Sequence, residues 1–118
     1  MKQALIVDPE GTVEDFARSA LEQYTQTRTG SLQEAEALAS SADYQLILIA
    51  KPEAICDGAL WTMVERISHE APEAAVVMVH TADADAGFHA RAGSLGVTVV
   101  TAPIGVIERA IIDQVTAG

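Results

Sequence analysis

Runs of apolar residues alternate along this chain with longer stretches in which apolar positions recur every three or four residues. The first run, Ala4 to Val7, ends in Asp8-Pro9-Glu10-Gly11, a turn-rich break that suits the carboxyl end of a strand. A helix follows: Thr12 caps it, Glu14 and Asp15 complement the dipole of its first turn, and Val13, Phe16, Ala17, Ala20, Leu21 and Tyr24 form one stripe. Thr25 to Arg28 is a short β-branched strand. Gly30 breaks it, and Ser31 with Glu34 makes a capping-box pattern ahead of Leu32, Ala35, Leu38 and Ala39.

Tyr44 to Ala50 reads as a strand buried on both sides, and Asp57-Gly58 opens a helix carrying Leu60, Trp61, Met63, Val64 and Ile67. Trp61 and Met63 share helical spacing with Leu60 and Val64, so they are expected in the core. Beyond Pro72, Ala74 to Val79 is a second continuous aliphatic strand. The segment from Thr81 to Ser94 reads as a helix weakened by Gly87 and Gly93. Val97 to Thr101 is a β-branched strand, and Pro103 opens a last helix with Ile104, Ile107, Ile111 and Val115 on one face. Five strand–helix units imply a parallel sheet with helices on both faces, because each parallel return needs a crossover. The expected fold is therefore one α/β domain over residues 1–118, a doubly wound, flavodoxin-like (βα)5 sandwich of strand order 2-1-3-4-5. Ligands in such sheets sit at the carboxyl ends of the strands, near Asp8 to Gly11, Ala50 to Asp57, His80 to Ala82 and Thr101 to Pro103.

Charge narrows the partners. The 118 residues carry 7 Lys+Arg against 17 Asp+Glu, a net charge of −10, which repels phosphate backbones and argues against direct binding of DNA or RNA. Apolar residues make up 49% of the chain, enough for a core, but no run approaches the roughly 20 residues that span a bilayer. The opening Met1-Lys2-Gln3 leads straight into the first strand without a signal-peptide core, so a cytoplasmic protein with no membrane association is expected. Cys56 is the single cysteine, which excludes an intrachain disulfide and a cysteine-based zinc site. His69, His80 and His89 lack metal-ligand spacing, although His80 sits at the rim of the expected site and could respond to pH. Neither a dinucleotide fingerprint nor a P-loop is present, and no serine stands in a glycine-flanked strand-to-helix turn. Expected, then, are no cofactor, no metal and no enzymatic activity.

The order of several short motifs resembles the receiver domain of two-component response regulators, the CheY-like family. They are Leu5-Ile6-Val7-Asp8-Pro9-Glu10, Thr29-Gly30-Ser31-Leu32-Gln33-Glu34-Ala35, Tyr44-Gln45-Leu46-Ile47-Leu48-Ile49, Asp57-Gly58, Val77-Met78-Val79-His80-Thr81-Ala82, Gly93-Ser94-Leu95-Gly96-Val97 and Pro103. The resemblance implies phosphoryl transfer from a histidine kinase to an aspartate ending the third strand. It also implies two magnesium-holding acids after the first strand, a Ser/Thr on the fourth, and a lysine before the proline that follows the fifth. Metal and cation offset the repulsion between an attacking carboxylate and an anionic phosphoryl group.

Measured against that pattern, the acceptor position falls on Ala50 and the lysine position on Ala102. Asp8 matches one acid position, but Pro9 separates it from Glu10; Thr81 alone is kept among the switch residues. Lys51 reads as a solvated loop residue and Asp57 as a helix cap. The resemblance thus points to a degenerate pseudo-receiver, an interaction module without phosphoacceptor chemistry, of the kind found ahead of DNA-binding outputs or at the amino terminus of TadZ/CpaE-type pilus-assembly proteins. The surface that receivers use implies docking of a protein partner or a homodimer through the fourth helix, fifth strand and fifth helix. Its candidate residues are Val99, Ile104, Ile107, Ile111 and Val115, with Val99 where many relatives carry a switch aromatic. The alternative is a divergent phosphoacceptor that uses Asp8, Glu10 or Asp57.

Overall fold

The computed structural model describes residues 3–8, 11, 13, 18, 24–41, 43–50, 57–80, 86–101 and 105–116. Five parallel strands, β1 (Gln3–Val7), β2 (Thr25–Thr29), β3 (Leu46–Ala50), β4 (Ala75–His80) and β5 (Thr98–Thr101), lie in the order β2-β1-β3-β4-β5. The described helices are α1 (Leu32–Ala39), α2 (Asp57–Glu70), α3 (Ala86–Ser94) and α4 (Val106–Thr116). Fold class and strand order agree with the sequence reading. The helix expected over Thr12 to Tyr24 lies largely outside the described residues; of its stripe, Val13 and Tyr24 are described and buried.

The central strands contain no Asp, Glu, Lys or Arg because both of their faces are covered. Alternate residues of β1, β3 and β4 point to opposite layers. Leu5, Val7, Ile47, Ile49, Val76 and Met78 pack with Ala35 and Ala39 of α1, Leu60, Trp61, Met63, Val64 and Ile67 of α2, and Phe88 and Ala92 of α3. Ala4, Ile6, Leu46, Leu48, Ala50, Val77 and Val79 pack on the other side with Val13, Tyr24, Val100 of β5 and Ile112 of α4. Each large aliphatic side chain buried this way contributes about 1.5–3 kcal/mol relative to exposure.

Two helix ends follow the local chemistry of the sequence. The Ser31 hydroxyl accepts the Glu34 N–H at 3.2 Å, satisfying a donor that the first turn of α1 would leave unpaired. At the end of α3, Gly96 adopts φ +71°, and the chain closes back with Val97 N–H donating to the Ala92 carbonyl at 2.8 Å. That left-handed turn is open to glycine and strained for other residues.

Two readings are corrected. Strand β3 begins at Leu46 rather than Tyr44, β4 runs from Ala75 to His80 rather than from Ala74 to Val79, and β1, β2 and β5 each differ by one residue. More consequentially, the buried anchor of α4 is Ile112, whereas Ile107 of the expected apolar face is 74% exposed. The helix is turned so that Ile112 faces the sheet, flanked by Ile111 and Val115, which are only partly buried. Ile104 lies outside the described residues.

Candidate functional site

The parallel register brings the carboxyl ends of the strands to one edge of the sheet. Val7 pairs with Ile49, so Asp8 and Ala50 come next on adjacent strands; Ala50 pairs with Val79, and His80 pairs with Thr101. Strand order reverses between β1 and β3, which makes the Asp8 and Ala50 ends the point where such sheets bind ligands. Of the sequence-derived site residues, the structure therefore brings Asp8 and Ala50 together. Glu10, Thr81, Ala102 and Pro103 lie outside the described residues, as does Lys51.

Asp8 is half-buried and engaged with the backbone around it. Its Oδ2 accepts the Val13 N–H at 3.0 Å, and its own N–H donates to the Thr29 carbonyl at 3.0 Å. The carboxylate thus holds the chain that leaves β1, and the backbone N–H of Asp8 ties that point to the end of β2. Ala50 is 2% exposed and ends β3 with a methyl group, which has no lone pair for a metal and no oxygen for phosphorus. Asp57 opens α2 rather than closing β3. A magnesium ion held by this edge would need converging oxygens. Among the described residues no group of three or more His, Cys, Asp or Glu side chains can hold a metal, and Asp8 with Ala50 supplies a single carboxylate, so these residues do not fit the ion.

Beside Asp8 a cleft of about 200 Å³ opens between the ends of β1 and β2, lined by Ile6, Asp8, Gly11, Arg28, Thr29 and Gly30. Sequence reasoning passed over Arg28 as one of five scattered arginines. The signal available was its place near the end of a strand neighbouring β1. Its guanidinium donates to Gln26 Oε1 at 3.1 Å. Also unremarked in the sequence was Phe88, which lies between His80 and Trp61 with centroids at 4.9 and 4.8 Å. Trp61 and Met63 are core residues, as their spacing indicated.

The expected docking residues do not share one side of the sheet. Val99 packs toward the α1–α3 layer, whereas Ile111 and Val115 pack toward the opposite layer, so these side chains flank the β5 edge. On α4, Val106 is 87% exposed and Ile107 74%, the two large apolar side chains left on the described surface.

No family model matches the chain, and no curated protein sequence matches it. Solved structures do. A response regulator from Thermotoga maritima superposes with a TM-score of 0.81 at 14% identity, covering 100% of this chain and 99% of that one. A putative pilus assembly protein, CpaE, from Burkholderia thailandensis E264 gives 0.76 at 19% identity, covering 100% of both chains. A response regulator from Burkholderia pseudomallei, solved with a phosphorylated aspartic acid, a calcium ion and citrate, gives 0.77 at 16% identity. That match covers 98% of this chain and 66% of the regulator. With its 2-1-3-4-5 parallel sheet and these structural neighbours, the chain has the fold of the response-regulator receiver, or CheY-like, domain.

Proposed function

We propose that this chain is a cytoplasmic signalling module of receiver fold that acts without phosphorylation, a pseudo-receiver that regulates by contact rather than by catalysis. The observation that carries this reading is Ala50. It stands buried at the carboxyl end of β3, beside Asp8, where an acceptor carboxylate is expected from the resemblance, and a methyl group cannot take up a phosphoryl group. Asp8 adds support, because its carboxylate is already committed to the Val13 N–H. Replacement of the lysine by Ala102 in the sequence agrees with both.

Without a phosphoryl switch, the module works through a surface that is present all the time or that a partner selects. That surface is the one formed around the β5 edge by α3 and α4, where Val106 and Ile107 stand exposed. Its occupant is a protein partner or a second copy of the chain, and the net charge of −10 disfavours nucleic acid there. A pilus-assembly setting of the TadZ/CpaE type is the one to try first, since a putative protein of that kind matches over the full length of both chains.

Titration with magnesium and then beryllium fluoride, followed by the fluorescence of Trp61, tests the reading. A flat response is expected. A saturable, magnesium-dependent change with fluoride added would mean that the edge still builds a phosphoryl-mimic site, and would favour the divergent phosphoacceptor using Asp8, Glu10 or Asp57.

A further inference from the structure

The strand end that carries His80 also begins a line of three rings. His80 closes β4 half-buried at the carboxyl edge, and its imidazole meets Phe88 of α3 at 4.9 Å between centroids and 88° between planes. Phe88 in turn meets Trp61 of α2 at 4.8 Å and 53°. Phe88 and Trp61 are both buried in the layer that holds α1, α2 and α3 on the sheet. The rings therefore run without a gap from the rim of the site into the core.

A perpendicular ring contact depends on charge, because an aromatic ring is negative on its face and positive on its edge. A cationic imidazole aimed at the face of Phe88 tightens the contact, and one that offers its own face to the Phe88 edge loosens it. Whichever ring presents its face, adding a proton to His80 changes the strength of its contact with Phe88.

We propose that His80 is a charge-sensitive trigger, in which protonation of its imidazole at the carboxyl edge moves Phe88 and, through Phe88, shifts α3 against Trp61 of α2. Among the described residues at this edge, the surroundings leave this role to His80. At the same edge β3 ends in Ala50 and β5 in Thr101, neither of them titratable, and Asp8 lies beyond Ala50 on β1. From α3 come exposed His89 and Arg91, the latter paired with Glu65 of α2 at 3.6 Å. In the sequence Asp83 and Asp85 follow His80 closely, but carboxylates ordinarily titrate below the range of histidine. Because α3 packs on β5, a shift of α3 would also re-present the proposed docking face; that consequence rests on the proposed function, while the ring coupling does not.

Trp61 is the only tryptophan, so tryptophan emission reports the surroundings of this one ring. Emission recorded between about pH 5 and 8, the range in which histidine changes charge, is expected to show one transition in the native chain. The transition is expected to vanish in His80→Gln and in Phe88→Leu and to persist in His69→Gln and His89→Gln. Absence of a transition in the native chain, its survival in either of the first two variants, or its loss in either of the last two overturns the proposal. Should His80→Gln fail to fold, NMR of the native chain decides: His80, Phe88 and Trp61 ring resonances sharing one midpoint support the coupling, and separate midpoints overturn it.

Discussion

The two faces of the sheet are covered in different ways. On one, three helices bring Ala35, Leu60, Trp61, Val64, Ile67 and Phe88 into a continuous buried layer, closed at its rim by ring contacts. On the other, among the described residues, Val13 and Tyr24 are buried and α4 contributes one fully buried residue, Ile112, while Val106 and Ile107 at its amino end face solvent. The difference separates two tasks that apolar residues perform. In the first layer they stabilise the fold, and at the start of α4 they stand exposed, on the face proposed above for docking.

Substitutions can break or sharpen that contrast. The largest effect is expected from Leu60→Ala, which opens a cavity in the sealed layer and should cost about 2–5 kcal/mol in chemical denaturation. Gly96→Ala should cost about 1–2 kcal/mol, although a Cβ there meets no atom within 4 Å, because the penalty lies in the left-handed backbone. Gly93→Ala, three residues earlier within α3 and equally free of neighbours, should instead stabilise by about 0.5–1 kcal/mol through helix propensity. The opposite signs of these two changes, read from thermal melts, would separate backbone strain from packing. Ser31→Ala, which removes the acceptor for the Glu34 N–H, should cost about 1 kcal/mol.

The smallest effect on stability is expected at the exposed end of α4. A Val106→Ser, Ile107→Ser double variant should change unfolding free energy by no more than about 0.5 kcal/mol per site, since neither side chain is buried. The same variant should abolish whatever association sedimentation velocity detects in the native chain. Retained association would move the docking surface elsewhere and leave the contrast between the layers as one of packing alone.

Much of the fold was legible in the sequence because parallel strands covered on both sides must be continuous aliphatic runs, as Ala4 to Val7, Leu46 to Ala50 and Ala75 to Val79 are. The α1 cap was legible for a similarly local reason, since Ser31 needs only its own Glu34. The facing of α4 was not. With Val106, Ile107, Ala110, Ile111, Ile112 and Val115 in one helix, several apolar arcs compete, and only packing against the sheet selects Ile112. The site divided along the same line. Asp8 and Ala50 could be placed by counting along strands, whereas Arg28 at the cleft and Phe88 beside His80 depend on which strand and helix become neighbours. Glu10, Thr81, Ala102 and Pro103 lie outside the described residues, and their part in the site rests on the sequence alone.

The central claim is that a chain with Ala50 at the end of β3 signals without accepting phosphate. Intact mass after incubation with magnesium and acetyl phosphate tests it most directly. An unchanged mass is the predicted result, and a stoichiometric phosphoryl adduct would contradict the account.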